Sequence, residues 1–424
     1  MTIPRKTLPF SLLLLALLVG PVVPAAAGPE GKTAGDAAGA EGGMATRPLR
    51  IGIPTPMQLQ VGRDTQDAAA LAIAEINAKG GVLGRQLELA VADETESPET
   101  GISAIKKLTS DEKVSVLVGG YTSGVTLAEL PHISAAKTIY LGVGAASPAI
   151  TAKVKQDYPN YKYIFRANPL NSKWLAMALI DFAVNFLGKE KGFKKIAIAG
   201  ESAKFVQDLV PFLKKGIVEG GLEVPMTEFF DVQTSDFSPL FSKAQASSAQ
   251  FIMVILSHAS SDVFVKQWYD ARVPLPIGGI DIKSQDTDFF SRVGGKAIGE
   301  TVQIGFMRAA VTPATIPFWD SFVKRYHRNP VYTAGGAYDA IKLWAEAVTR
   351  AKTADADAVV KELEKTDFVG TSGRIVFDDM HDVRYGPDYV QAMFVQWQEG
   401  GKRAVVWPMS RKTGEFVLPA WIKK

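Results

Sequence analysis

Hydrophobic and polar positions follow two alternating periods along most of the chain. Apolar residues between 69 and 76 recur at i, i+3, i+4 and i+7, which predicts a helix with one face packed on a core. Asn77 and the pair Gly80-Gly81 then favour a helix end, because glycine adopts the left-handed backbone that closes a helix. Residues 85–93 follow with strand character. The segment therefore predicts a helix, a tight turn and a strand.

The same alternation continues for some 230 residues and restarts after 164–166. Strands that alternate with helices favour parallel sheets with right-handed crossovers, so two such runs predict an α/β protein with two doubly wound lobes. The predicted strands are 49–53, 85–93, 114–119, 138–143, 195–199, 222–230, 251–256 and 276–280, and the predicted helices are 125–136, 174–187, 205–219 and 263–271.

The last third of the chain does not predict a third lobe. Two helices are expected within 317–351, the second at 334–350, and a third at 355–365. Short β segments follow at 374–377 and 389–396. These elements look like additions to lobes already built, so we expect the chain to cross between the lobes more than once.

The N-terminal 27 residues resemble a signal peptide. Arg5 and Lys6 precede an apolar run over 8–20, and the small residues 25–27 form a cleavage site. The alternative is an uncleaved anchor, although the run is short for a membrane span. Residues 28–47 are rich in glycine and alanine and predict a flexible linker. We therefore expect an exported protein that is soluble after cleavage.

Composition excludes several classes of function. The 424 residues contain no cysteine, so disulfides, thiolate metal sites, cysteine nucleophiles and a lipid-anchored cysteine are all excluded. The formal charge is only +3, and no basic run with interleaved aromatic residues is present, so we expect no nucleic-acid partner. A hydrophobic content of 47% is enough for stabilisation by core burial alone.

Three loops after predicted strands carry small polar residues. They are 119–124, 142–148 and 257–262. Ligands of open parallel sheets bind beyond the carboxyl ends of the strands, where helix N-termini present free N–H groups. Ser123 could donate its hydroxyl there, and His258 is the histidine best placed for a ligand, whereas His327 and His381 lie in polar surroundings. Ordinary helix capping is the alternative for each loop.

Other chemistries find weaker support in the sequence. Residues 142–147 lack the third glycine of a dinucleotide fingerprint. Ser134 to Lys137 and Lys412 to Gly414 match two motifs of serine penicillin-recognising enzymes, but the first motif also occurs elsewhere, for example at 110–113 and 321–324, and the S-D-N element is absent. The four histidines lack zinc-site spacing. Asp281 ends a strand, where it could meet an ammonium group or cap the next segment.

Seven segments carry a resemblance to a known family. They are INAKGGVLGRQLEL, KLTSDEKVSVLVGG, SPAIT, YIFRANP, TSDFSPL, YDAIKLWAEAV and FVGTSGRIVFDD. In order and spacing, over 49–410, the chain resembles periplasmic solute-binding proteins of the branched-chain amino acid (Leu/Ile/Val) type. The resemblance implies a type I periplasmic binding protein with two Rossmann-like lobes joined by three hinge crossings. The lobes would comprise 48–166 with 306–388, and 167–305 with 389–424.

The resemblance also implies a role. Such a clamp closes on a small organic solute and delivers it to an ABC permease in the inner membrane, without catalysis and without a cofactor or metal. We expect a monomer. A periplasmic sensor that uses the same clamp to signal to a membrane receptor is the main alternative, and a serine hydrolase that uses Ser134 is a weaker one.

The residues that the family uses for amino acids are only partly present. Ser123 matches the serine that holds the ligand carboxylate, and Tyr121 and Gly144 match backbone contacts. Asp281 matches the acid that binds the ammonium group, one carbon shorter. Three partners differ: Ala146 replaces a threonine, Ser257 a tyrosine and Val61 an aromatic residue.

These matches predict a ligand site and a ligand class. Because half of the α-amino-acid contacts are altered, we expect leucine, isoleucine and valine to bind weakly, and an amide or an organic or aromatic acid to bind better. The expected site comprises Tyr121, Thr122, Ser123, Gly144, Ala145, Ala146, Ser257, His258 and Asp281.

Overall fold

A computed structural model describes residues 47–258, 260–286, 288–386 and 388–422. The predicted signal peptide (1–27) and all but the last residue of the predicted linker (28–47) lie outside the described residues. Within the described part, the chain builds two main β-sheets with helices packed against them and one small antiparallel hairpin.

The first sheet contains five parallel strands in the order β2-β1-β3-β4-β5. Its strands are apolar and mostly buried, as expected for a sheet covered on both faces by helices. The strands are β1 (Leu49–Thr55), β2 (Leu87–Asp93), β3 (Val116–Gly119), β4 (Ile139–Gly142) and β5 (Ile164–Arg166), and the helices between them are α1 (Gln60–Asn77), α2 (Pro98–Lys106), α3 (Ser123–Ala135), α4 (Pro148–Gln156) and α5 (Tyr158–Tyr161).

The helix, turn and strand predicted from the opening pattern are confirmed. Helix α1 ends at Asn77, and Gly80 and Gly81 follow with φ of +98° and +78°. A Cβ atom on Gly81 would lie 2.0 Å from the carbonyl oxygen of Arg85, so the turn that leads into β2 requires glycine at this position.

The second sheet contains seven strands in the order β14-β13-β10-β9-β8-β6-β7. Helix α6 continues as a π-helical segment, Phe182–Glu190, along this part of the chain. The strands, with the hairpin β11-β12, are β6 (Ile196–Glu201), β7 (Thr227–Phe230), β8 (Phe251–Leu256), β9 (Ile277–Asp281), β10 (Thr301–Ile304), β11 (Asp367–Val369), β12 (Arg374–Val376), β13 (Met393–Gln398) and β14 (Lys402–Trp407), and the helices are α6 (Ser172–Asp181), α7 (Lys204–Glu219), α8 (Ser238–Ala246), α9 (Ser260–Asp270) and α10 (Phe289–Arg292).

The second sheet differs from the prediction at one edge. Strand β13 runs antiparallel to β10, and β14 runs antiparallel to β13, so the sheet is mixed. Strands β10, β11 and β14 were not predicted, and the strand predicted at 222–230 begins only at Thr227. The turn between β13 and β14 contains Gly400 and Gly401 at φ of +70° and +73°, which is the glycine signal of a tight hairpin.

The last helices return to the first sheet. They are α11 (Thr315–Tyr326), α12 (Tyr332–Ala351) and α13 (Ala356–Leu363). Helix α12 packs along α1, where the Thr333 hydroxyl donates to the carbonyl of Val61 at 2.7 Å and the Tyr338 hydroxyl donates to Glu75 at 2.6 Å. Within the described residues, this region thus adds helices beside the first sheet and two strands to the second sheet.

The chain passes between the two sheets three times: after β5, after β10 and before β13. A buried ion pair joins two of these crossings, with Arg166 Nε 3.3 Å from Asp382 Oδ1 and both side chains at most 2% exposed. The Asn171 amide and the Thr151 hydroxyl also donate to Asp382, at 2.6 and 2.9 Å. We call Arg166, Asp382 and Asn171 the hinge clasp.

The surroundings of His381 differ from the prediction. Its side chain is buried and stacks on Phe165 with a ring-centroid distance of 3.9 Å. Burial lowers the pKa of His381, although a hydrogen bond to Glu364 partly offsets this effect. The polar residues on either side of His381 in the sequence gave no sign of this burial. One of them, Asp382, is itself buried in the hinge clasp.

Candidate functional site

A cavity of about 320 Å³ lies between the two sheets, at the carboxyl ends of their parallel strands. This is the position expected for ligands of doubly wound folds. Seven of the nine predicted site residues line it, and two do not. The lining residues are Tyr121, Thr122, Ser123, Gly144, Ala146, Ser257 and His258, and the other two are Ala145 and Asp281.

Ser123 organises the wall of the first lobe. It is the first residue of α3, and its hydroxyl oxygen accepts the backbone N–H groups of Ala146 and Ser147 at 3.1 and 3.0 Å. Because a hydroxyl has one proton and two lone pairs, the Ser123 proton stays available to an acceptor in the cavity. Ser123 therefore shapes the loop after β4 and can also donate a hydrogen bond.

Close backbone contacts shape the same wall. A Cβ atom on Gly144 would lie 2.3 Å from the carbonyl oxygen of Gly120, so the loops after β3 and β4 can meet only with glycine at this position. The next residue, Ala145, packs into the apolar core of the first lobe rather than the cavity. The prediction of Ala145 as a cavity residue is corrected on this ground.

Glu201 organises the facing wall in the second lobe. It ends β6, is fully buried, and accepts the hydroxyl of Ser257 and the backbone N–H of His258, the latter at 3.1 Å. His258 Nδ1 lies 2.8 Å from Glu201 Oε1. The loop after β8 is thus held by a carboxylate from the neighbouring strand, which presents the imidazole to the cavity.

Contacts between side chains and the opposite lobe bridge the cavity. A clamp with its lobes together has this arrangement. Two contacts that cross the cavity are the Tyr121 hydroxyl donating to the Ser257 carbonyl (3.1 Å) and His258 Nε2 beside Glu96 Oε1 (3.6 Å). Outside the cavity lining, the Ser147 hydroxyl donates to Asp208 Oδ2 across the lobes (2.5 Å).

His258 lies between two carboxylates. Its burial lowers the pKa, but the hydrogen bond to Glu201 and the charges of Glu201 and Glu96 outweigh this effect and raise the pKa above its usual value. The nearby Lys283 ammonium acts in the opposite direction. Protonated His258 therefore connects a buried acid of the second lobe with an acid of the first.

Asp281 lies inside the second lobe, away from the cavity lining. It is 1% exposed, and both carboxylate oxygens accept the Ser261 hydroxyl, at 2.7 and 2.6 Å. Oδ1 also accepts the backbone N–H of Ser284 at 3.1 Å. Burial raises the pKa of Asp281 to about 6. The expectation that Asp281 meets a ligand ammonium is therefore corrected: in this structure it caps the segment after β9.

Sequence reasoning missed part of the lining. Several of the missed residues lie in the crossings and on or after strands β9 and β10, Tyr332 begins α12, and others follow β2, β6 and β7. Asn168 follows the first crossing, and its amide donates to the Val143 carbonyl at 2.8 Å. The family segment YIFRANP contained this signal. The missed residues that matter most are Asn168, Gln285, Gln303, Phe306, Tyr332 and Tyr385.

The arrangement of the described residues does not support the serine hydrolase or a metal site. Ser134 is not among the residues that line the cavity, and its hydroxyl donates to the carbonyl of Asn160. No group of three or more histidine or acidic side chains within the described ranges could hold a metal ion. Within the same ranges, no helix is both long and apolar enough to cross a membrane.

Comparisons with known proteins agree with this architecture. A family model described as "Periplasmic binding protein" matches residues 48–402. The chain is 24% identical over 371 residues to Leu/Ile/Val-binding protein homolog 7 of Brucella abortus (strain 2308), covering 85% of this chain and 90% of that protein. It is also 24% identical over 348 residues to the leucine-, isoleucine-, valine-, threonine- and alanine-binding protein of Pseudomonas aeruginosa, covering 80% and 88%.

Solved structures show the same fold. The branched-chain amino acid transporter substrate-binding protein of Streptococcus pneumoniae, solved with isoleucine, has a TM-score of 0.73 at 22% identity and covers 85% of this chain and 100% of its own. A solute-binding protein of an ABC transporter from Rhodopseudomonas palustris, solved with 3,4-dihydroxybenzoic acid, has a TM-score of 0.72 at 20% identity, covering 85% and 95%. The predicted type I two-lobed fold is confirmed.

Proposed function

The chain belongs to the periplasmic binding protein family, and from that premise we propose that it is the extracytoplasmic solute-binding component of an ABC transporter. It binds a small organic solute between its lobes and delivers it to a permease in the inner membrane. The solute is an amino acid, an amide, or an organic or aromatic acid. The role includes no catalytic step.

The cavity between the sheets is the observation that carries this proposal. Residues from both lobes line it, and a hydrogen bond and an ion pair cross it. A solute enclosed there contacts both lobes only when they are together, so its binding energy favours the closed form. Such coupling of binding to shape is what a permease needs in order to recognise a loaded carrier.

The same proposal assigns the lobes and the contacts. The first lobe comprises 48–166 with 306–388 and the second 167–305 with 389–424, which agrees with the membership of the strands in the two sheets. Ser123 donates to an acceptor group of the solute from the first lobe. Ser257 and His258 lie on the opposite wall.

Native mass spectrometry of freshly purified protein tests the binding role. We expect wild-type protein to retain a small molecule. Ala392→Trp places a large side chain at a half-buried position that lines the cavity and should abolish retention. Ala354→Trp is the matched control at a half-buried position outside the lining and should retain the molecule. Retention by Ala392→Trp would contradict binding in the cavity.

Uptake by cells tests delivery to a permease. Deletion of the gene for this chain should abolish high-affinity uptake of the molecule that mass spectrometry identifies. Wild type and Ala354→Trp should restore uptake, and Ala392→Trp should not. Unchanged uptake in the deletion strain, together with capture of a signalling receptor by the purified protein, would instead support the sensor.

A further inference from the structure

Three side chains that line the cavity have buried polar atoms without a hydrogen-bond partner. Gln303, on β10, is 4% exposed, and neither its amide oxygen nor its amide nitrogen is paired. Gln285, after β9, is 8% exposed and has an unpaired Oε1, and Thr122 has an unpaired hydroxyl. Buried polar groups are nearly always paired, because an unpaired one destabilises the fold. These atoms therefore indicate where a solute forms hydrogen bonds.

The charged groups of the lining are already paired, by contrast. Within the described residues, the charged side chains that line the cavity are Glu96, Lys204 and His258. Glu96 faces His258, and Lys204 forms an ion pair with Asp208. No unpaired carboxylate from the described residues is therefore available to an ammonium group, and a buried ammonium without a carboxylate partner is strongly disfavoured.

Two helix N-termini at the cavity favour a negatively charged group of the solute. Helix α3 begins at Ser123 and α7 begins at Lys204, and both residues line the cavity. The partial positive charge at a helix N-terminus stabilises an anion, and the free Ser123 proton adds a hydrogen-bond donor beside it. Because Lys204 at the start of α7, in the second lobe, already pairs with Asp208, the start of α3 in the first lobe is the place that accommodates a solute carboxylate.

Aromatic side chains form much of the remaining wall. Their rings add apolar surface to the cavity, which suits a planar or apolar body between the two polar ends of a solute. The aromatic residues are Tyr121, Phe205, Phe306, Tyr332 and Tyr385.

We infer that the solute is an aromatic or similarly apolar acid with an uncharged group that both donates and accepts hydrogen bonds, a carboxamide or hydroxyl, and that Gln303 selects this group. Its carboxylate binds at Ser123, and its uncharged end binds at Gln303 and Gln285 in the second lobe. An α-amino acid places an ammonium group where the second lobe offers amides. The inference deepens the proposed function and rests on it.

Four para-substituted benzoates test the inference directly. They share a carboxylate and a ring and differ in the opposite group: carbamoyl, hydroxyl, methyl or aminomethyl, the last carrying an ammonium charge. We expect calorimetry on wild-type protein to rank the carbamoyl and hydroxyl probes first, the methyl probe next and the aminomethyl probe last. Losing a hydrogen bond of this kind corresponds to about a tenfold change in affinity.

Two variants of Gln303 separate selection from general binding. Gln303→Leu should weaken the carbamoyl probe about tenfold while leaving the methyl probe unchanged, and should raise the melting temperature without ligand because the unpaired amide is removed. Gln303→Glu should invert the order and favour the aminomethyl probe. Gln396→Leu is the control, since Gln396 is buried in the same sheet with its amide bonded to Gly299 and Val417. It should lower the melting temperature and keep the probe order.

Two results would overturn the inference. One is that the aminomethyl probe, or leucine, binds wild-type protein more tightly than the uncharged probes. The other is that Gln303→Leu lowers the melting temperature and leaves probe affinities unchanged. In either case a solute retained by wild type and lost in Ala392→Trp would keep the solute-binding role intact, so the two claims fail separately.

Discussion

Ser123 connects local structure with recognition at a single residue. Its oxygen holds two backbone N–H groups of the loop after β4, and its proton faces no partner among the described bonds. Family resemblance marked the residue, but only the structure shows this double role. Removal of the hydroxyl therefore loosens the loop and removes a donor at once.

Ser123→Ala should weaken binding of the co-purified solute. Losing a hydrogen bond to a charged group costs about 1.5–3 kcal/mol, or roughly 10- to 150-fold in affinity. Isothermal titration calorimetry measures this. Ser134→Ala is the control on the same helix, because Ser134 donates to the Asn160 carbonyl outside the cavity, and its affinity should match wild type. If Ser123→Ala and Ser134→Ala bind the solute with equal affinity, Ser123 does not contact the solute.

His258 makes stability depend on pH in a defined direction. Its raised pKa means that protonation favours the folded, bridged form, with Glu201 on one side and Glu96 on the other. A raised histidine pKa contributes stability that is fully present below the usual value and is lost as pH rises through the raised value.

The free energy of unfolding of wild type, relative to His258→Gln, should therefore fall as pH rises through the raised pKa of His258. Chemical denaturation across this pH range measures the difference. Glu96→Gln should reduce the effect, because one of the two carboxylates beside His258 is then neutral. His327→Gln, at an exposed helix end, should follow wild type. A difference that grows with pH would contradict this role.

At the scale of elements, much of the fold could be predicted because the spacing of apolar residues along the chain indicates helices and strands locally. Strand β8 is a continuous apolar run, and helix α12 is long and amphipathic. Both lie close to their predicted bounds. Strands β10 and β14 could not be found in this way. β10 has the sequence TVQI, with no continuous apolar run of the kind that marked β3 and β4, and β14 pairs with β13 at the antiparallel edge.

The site was predictable only where loops follow recognised strands. Ser123 and His258 lie after β3 and β8 and were found, whereas Gln303 lies on the unpredicted β10. Asp281 was correctly placed at a strand end, but the direction of its side chain depends on Ser261, a contact across twenty residues. Such orientation cannot be derived from periodicity.

The hinge clasp should be important for stability. Asp382→Asn leaves the Arg166 guanidinium buried without its carboxylate, and breaking a buried ion pair in this way costs about 3–5 kcal/mol. Urea denaturation measures the loss. Asp320→Asn is the control, because both Asp320 and its partner Arg308 are more than half exposed, and surface ion pairs of this kind contribute little to stability. Similar losses for both variants would contradict the role of the clasp.

At the scale of the whole molecule, we expect the two lobes to act as a clamp that closes on a solute. Three passages of the chain join the two sheets. The contacts of Tyr121 and Glu96 link the lobes across the cavity, and the contact of Ser147 links them outside its lining. Opening must break these contacts, and an enclosed solute must favour their formation.

Small-angle X-ray scattering of the purified protein, with the co-purified solute removed and then restored, tests this claim most directly. A clamp that closes on its solute should have a smaller radius of gyration at saturation than without solute, and Ala392→Trp should show no such decrease. A radius of gyration that stays unchanged at saturating solute, with binding verified by calorimetry in the same sample, would contradict the clamp.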